Sequence, residues 1–390
     1  MITFKGFSGI NNVQPQPEMK VSDLVQAVNI DLDNEGRAMR RQGYTLAAAG
    51  VRRNLFEAKS GTLFASVEDG SLVARAGAIE TAVHTAIGPD RIWYADLPDG
   101  TVLFSNGLIA GITDGLTSHA LGVPVPQASG SFTSIPGALQ PGRYQWATTY
   151  VRLSDGLEGG TSDGGLAEVS EGGILLSGLP LRDGYKTVVY LSKANGTEMC
   201  LAGETFGPAF SFVGPDSDLV VPCRTQFMVP MPAGNLCTFW RTRTLVAVGD
   251  TLVASRPDQW ELHDPSRDVK RFTAPITLIQ PVDDGIYIGT EHELAFLSGT
   301  NFDGLVYSCR LSSRVVLGSG VKVPAESIGE GDSKGLGMMC IAGGNICAGR
   351  AGGSVTEMTS DRYKVADSIT EVYAAFREVR GIPQYLATPK

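Results

Sequence analysis

Short runs in which apolar and polar positions alternate recur along the chain, and three share a lead-in turn: Ser60-Gly-Thr-Leu-Phe-Ala-Ser66, Asp99-Gly-Thr-Val-Leu-Phe-Ser105 and Gly249-Asp-Thr-Leu-Val-Ala-Ser255. A turn dipeptide followed by an alternating run is the pattern of one strand in a small antiparallel sheet. Further strand-like runs flank the copies, as in Arg91-Ile-Trp-Tyr-Ala95 and Thr244-Leu-Val-Ala-Val248. Repeated small sheets of this kind are built most economically as blades around an axis. The pattern predicts a scaffold before it predicts any chemistry.

Five segments follow from the pattern. Residues 1–50 lack regular alternation and form an N-terminal arm: Asn12-Val-Gln-Pro-Gln-Pro17 is expected to be extended, and Ser22 to Ala27 a short capped helical turn. Ala27 to Leu32, the turn Asp33-Asn-Glu-Gly36 and Arg37-Ala-Met-Arg-Arg41 read as a hairpin whose second strand presents arginines. Residues 51–138 carry the first blades, ending in a Pro/Ser/Gly linker that runs to Ser134. Residues 139–222 change pattern, and blades return over 223–365. Residues 366–390 close the ring, with Ile369 to Val379 read as a short helix or an irregular strand.

The segment 139–222 opens on Gly142-Arg-Tyr-Gln-Trp-Ala-Thr-Thr-Tyr-Val-Arg152, a long strand with Tyr144, Trp146, Thr148 and Tyr150 on one face. Runs around Ile174, Val188 and Phe210 follow, and Tyr144, Trp146, Val188, Tyr190 and Phe212 are the expected core. Strands at this spacing predict a small β-sandwich, and the segment resembles a fibronectin type III domain in pattern. Two more blades is the other reading of this stretch. The fold class is therefore all-β: a β-propeller-like domain interrupted by an inserted sandwich, with an extended N-terminal arm.

Composition agrees: in 390 residues there are 48 glycines and 21 prolines, only 19% are charged and 43% are hydrophobic, as expected of short strands cut by turns. No apolar run reaches the length of a membrane span and the start lacks a signal-peptide pattern, so a soluble chain folding in cytoplasm is expected. A net charge of −9 argues against wrapping nucleic acid, while an acidic wall would let DNA pass without holding it. Cys340 and Cys347 sit across Gly343-Gly344 as if in a hairpin. Buried thiols are favoured there over a disulfide or a zinc ligand.

Catalytic patterns are weak. Asp283-Asp284 is the most conspicuous acidic pair, but it precedes Gly285 between two strands and reads as a turn. The four histidines, His84, His119, His263 and His292, show no metal-ligand spacing. Gly343 to Gly349 opens no helix and is no phosphate loop. Asp31-Leu-Asp-Asn-Glu-Gly36 falls short of a calcium loop. No catalytic, cofactor or metal residue is assigned, and no cofactor is expected.

Two local patterns carry a resemblance. Phe4-Lys-Gly-Phe-Ser-Gly-Ile-Asn-Asn-Val13, with Ala27 to Asp33, Gly36-Arg37 and Arg40-Arg-Gln-Gly-Tyr44, resembles the N-terminal arm of tailed-bacteriophage nozzle and hub proteins. Ser255-Arg-Pro-Asp-Gln-Trp-Glu-Leu-His263, Ile276 to Thr290 and Gly318-Ser319 are similar to the blades of those components. The resemblance implies a non-enzymatic virion protein of the tail or neck, assembled in the host cytoplasm. It would form a ring, usually of six copies, joining adjacent tail or portal-adaptor proteins around the DNA channel, with no membrane contact. Phe4, Phe7, Arg37, Arg40 and Arg41 are then interface candidates, and Asp99, Asp283 and Asp284 candidates to line the channel. The alternative is a receptor- or carbohydrate-binding protein of the tail tip.

Overall fold

The computed structural model describes residues 6–33, 35–41, 43, 45–328, 334–379 and 381–390. Strand makes up 48% of the chain and helix 3%, the latter as short 3-10 turns among the described residues. The alternating runs become five four-stranded antiparallel meanders, numbered here as sheets 1 to 5. Sheet 1 begins with Arg52–Glu57 and ends with Ile79–His84; sheet 2 runs from Trp93–Asp96 to Ser118–Ala120. Sheet 3 runs from Leu236–Trp240 to Val269–Arg271, sheet 4 from Ile276–Val282 to Val306–Leu311, and sheet 5 from Val321–Pro324 to Val355–Glu357. Their turns use the expected chemistry: Asp99 Oδ1 accepts the Thr101 amide at 3.0 Å and its hydroxyl at 2.7 Å, while Gly100 takes φ +87°.

Successive sheets pack face to face. Phe64, Leu72, Ile92 and Phe104 fill the space between sheets 1 and 2, Leu103, Ile112, Val246 and Val253 that between 2 and 3. Leu245, Leu252, Ile286 and Leu297 join sheets 3 and 4. Tyr287, Phe296, Met338, Cys340 and Cys347 join 4 and 5. Phe104 and Phe296 have no exposed surface, so truncating either to Ala costs about 3–5 kcal/mol. Cys340 and Cys347 stand opposite each other, both buried, in the hairpin that the Gly343-Gly344 turn predicted. The propeller-like arrangement thus follows from period-two patterning repeated five times.

A two-stranded hairpin, Val372–Val379 with Ile382–Pro389, packs beside sheet 5. Of the two readings of this run, a short helix or an irregular strand, the strand is what forms, and the chain turns at Gly381 (φ +76°) into its partner. Phe376 and Tyr385 pack on sheet 5, and the Tyr385 hydroxyl donates to Ser319 O at 2.7 Å. The Ser22 to Ala27 helical turn is overturned. Asp23–Leu24 pairs parallel with Gly9–Ile10, because Ser8 Oγ and Asn11 Nδ2 hold the Asp23 carboxylate at 2.8 and 2.9 Å. The arginine hairpin forms as Ile30–Leu32 with Ala38–Arg40.

Between sheets 2 and 3 the chain builds a sandwich. One sheet orders Ser131–Pro136, Gly172–Ser177 and Ala209–Phe212; the other orders Gly165–Val169, Gly142–Arg152, Tyr185–Leu191 and Cys200–Thr205. Strand pairing therefore starts inside the stretch read as linker, since Ser131 to Pro136 pairs with Ser177 to Gly172. Tyr144, Trp146, Ile174, Leu176, Val189 and Leu191 form the core. Val188 and Tyr190, expected inside, face the other way against Ala147, Val151 and Met199. Both faces of Tyr185–Leu191 are buried, so alternation could not tell them apart.

Candidate functional site

Trp93–Asp96, Leu236–Trp240, Ile276–Val282 and Val321–Pro324 line a central cavity of about 630 Å3 with residues of the first sheet and the C-terminal hairpin. Glu57, Lys59, Asp96, Gln280 and Lys322 bring charge and polarity to its wall. Desolvation and the Lys59 ammonium hold Lys322 below the ordinary lysine value, with Asp283 and Asp96 opposing. Burial pushes the Tyr94 phenol well up.

The cavity continues into a larger cleft of about 770 Å3, where Arg52–Glu57 and Val372–Val379 approach without packing on each other. Phe56, Trp93, Tyr94, Gly318, Gly320 and Ala374 belong to both spaces. Arg91 is the pin of this seam. Its guanidinium lies 4.0 Å from the Trp93 ring centroid and 4.3 Å from that of Tyr373. Nη1 donates to Val372 O at 2.7 Å and sits 3.2 Å from Glu371, which also meets Lys390 at 2.9 Å. Burial pulls the guanidinium below its ordinary value while Glu371 opposes. Gly318, at φ +75°, leaves the space: a Cβ there would lie 2.2 Å from Arg91 Nη1.

A second polar centre joins the sandwich to the ring. Arg152 is 4% exposed, and its Nη2 donates to Glu261 at 2.6 Å and to Asp155 at 2.6 Å. Glu261 Oε2 also accepts the Gly122 amide at 2.7 Å. Burial raises the Glu261 carboxyl, but His119, Arg152 and the Gly122 amide outweigh it and leave the group below its ordinary value. Ligand atoms of His119, Asp155 and Glu261 lie within 4.8 Å of one another. A guanidinium already sits against both carboxylates, so a cation would compete with a fixed charge. This trio is a salt-bridge hub.

The residues singled out from sequence are dispersed. Phe4 lies outside the described residues. Phe7 donates its amide to Gly36 O at 2.7 Å. Arg37 pairs with Glu35, Arg41 meets Asp31 at 2.9 Å, and Arg40 lines a small groove with Arg377. Asp99 serves its own turn. Asp283 Oδ2 accepts the Leu336 amide at 2.9 Å and Asp284 Oδ2 that of Gly352 at 2.7 Å. These two carboxylates tie sheet 4 to sheet 5, beside the cavity rather than in its wall. Sequence reasoning missed Arg91 with Glu371 and Arg152 with Glu261, pairs separated by 280 and 109 positions. The Arg52-Arg53 doublet was the visible signal for the cleft.

No protein-family profile matches the chain, and no curated protein matches it. Among solved structures, it is similar to the Neurospora crassa Pan2 WD40 domain (TM-score 0.35, 11% identity, covering 85% of this chain and 84% of that one). It is similar to streptogramin B lyase (0.34, 8%, 87% and 93%) and to the Dos1 propeller (0.32, 9%, 89% and 76%). Scores this low transfer neither fold nor function to this chain.

Proposed function

We propose that the chain is a structural protein of a phage tail or neck that assembles with copies of itself into a ring around the DNA channel and has no active site of its own. The observation that carries this reading is the N-terminal arm. Of its described residues only Asn11 is buried, while Val13, Val21, Val25, Val28 and Leu46 are 43–85% exposed. An arm that contributes nothing to its own core yet shows a series of valines to water suits contact with another subunit. It is attached by polar bonds: Asn12 and Lys364 exchange two at 2.8 Å, and Arg362 donates to Ser8 O at 3.0 Å.

The sandwich supports a fibronectin type III-like insert. Gly142–Arg152, Tyr185–Leu191 and Cys200–Thr205 lie side by side, as strands C, F and G do in immunoglobulin-like sandwiches, and buried Trp146 sits on the C position. The acidic pair that most resembled a catalytic dyad is engaged with backbone amides instead. Sedimentation velocity and electron microscopy of the full chain test the reading: a closed oligomer is expected, and deletion of residues 1–20 should give a folded monomer with an unchanged circular dichroism spectrum. A full chain that stays monomeric at high concentration sinks it.

A further inference from the structure

The cleft beside the central cavity is charged against the trend of the chain. Its wall holds Arg52, Arg53, Arg91 and Lys390 and no acidic residue, in a protein with 41 acidic and 32 basic side chains. Two carboxylates serve the four cations: Glu80 lies 3.0 Å from Arg52, and Glu371 is shared by Arg91 and Lys390. Arg53, exposed at the mouth, has no carboxylate within ion-pair distance among the described residues. The cleft keeps an excess of positive charge at a place where the chain had every means of cancelling it.

Its floor is apolar, and the backbone is bent to make it so. Strand Arg52–Glu57 carries a bulge, with Arg53 opposite Ser66 and Phe56 opposite Phe64, so that Asn54 and Leu55 face Ala65 alone. Asn54 takes φ +53°, a left-handed conformation that an asparagine tolerates at some cost. Its Nδ2 is fixed to Ser66 Oγ at 2.9 Å and Asp90 O at 3.0 Å. The consequence is that Leu55 points outward, 74% exposed, into a cleft also lined by Pro89 and by Phe56, whose ring stacks on Tyr94 at 4.9 Å. A volume of about 770 Å3 is that of a small-molecule site.

We propose that this cleft binds an acidic saccharide, with the carboxylate of a uronic acid unit at Arg53 and Lys390 and the C–H face of its ring on Leu55 and Phe56. The two halves of such a unit match the two halves of the wall, a guanidinium for the carboxylate and an aromatic and aliphatic floor for the ring. An extended acidic peptide fits less well, because the bulge interrupts the row of backbone groups that an added strand would pair with. This site is independent of the assembly reading.

Isothermal titration of the full chain with trigalacturonic acid tests it, with maltotriose as the neutral control and inorganic phosphate as the charge-only control. The expected result is binding of the uronate alone. Affinity should fall about tenfold or more in Arg53→Ala, fall in Leu55→Ser, and stay unchanged in Arg271→Ala, an exposed arginine of sheet 3. Both Arg53 and Leu55 are exposed, so the variants should keep the parent circular dichroism spectrum. Absence of uronate binding, equal binding of maltotriose or phosphate, or an Arg53→Ala variant that binds like the parent overturns the proposal. Sedimentation of the same samples reports assembly separately, so either idea can fail alone.

Discussion

Arg152 of the sandwich lies buried against Glu261 of the sheets at 2.6 Å, whereas the N-terminal segment is tied to them through exposed hydrogen bonds such as that from Asn12 to Lys364. Both regions are additions to the same series of sheets, and they are attached by opposite physics. The sandwich has a core of its own and a desolvated ion pair at its base, so its orientation is set. The N-terminal segment has no apolar residue buried among those described, so its contacts to the sheets are polar and open to water. Desolvation strengthens the first attachment, and solvent weakens the second.

The largest break in this contrast comes from cutting the sandwich out. A fragment of residues 128–223 should unfold in one cooperative transition, while one of residues 139–222 should not. The shorter piece lacks Ser131–Pro136, the edge partner of Gly172–Ser177. Equal behaviour of the two fragments in urea would show that this strand is dispensable.

A smaller effect is expected at the junction. In Glu261→Gln the buried Arg152 keeps Asp155 as its one carboxylate partner, with the Ala120 carbonyl at 3.3 Å, and breaking a buried ion pair in this way costs about 3–5 kcal/mol, read as a lower urea midpoint of the full chain. Because the folded Glu261 carboxyl lies below its ordinary value of 4.5, its contribution is complete above that value and is lost as pH falls through the lower, folded one. The gap between parent and variant midpoints should therefore narrow on acidification from neutral pH. A constant gap would mean that Glu261 acts through packing instead of charge. Asn12→Ala is the smallest: it should cost no more than about 1 kcal/mol yet shift assembly in sedimentation. A variant that unfolds much earlier than its parent would show the arm to be part of the fold.

How much was legible can be argued from particular residues. The strands Leu63–Val67, Val102–Ser105 and Thr251–Ala254 appear where their alternation places them, and so does the Cys340 to Cys347 hairpin, because turn chemistry and period-two burial are local. The C-terminal hairpin was left open between helix and strand, since a strand is recognised by its partner and Ile382–Pro389 lies outside the run Ile369 to Val379. Val188 and Tyr190 were assigned to the wrong face because every position on that strand from Thr187 to Leu191 is buried. Asp283 and Asp284 were correctly seen as a turn, but their use as acceptors for amides of sheet 5 depends on packing between sheets.

By itself the sequence determined that this is an all-β chain of repeated short strands interrupted by a segment of different pattern, since composition, turns and alternation act within a few residues of one another. Tertiary structure alone decided where charge is buried and where it is left uncancelled. Arg91 meets Glu371 and Tyr373, and Arg152 meets Glu261, only once the sheets, the C-terminal hairpin and the sandwich are packed together. The bulge at Asn54 that opens the basic cleft likewise exists only against the partner strand. Long-range electrostatics and packing carry no local period, and no pattern along the chain can announce them.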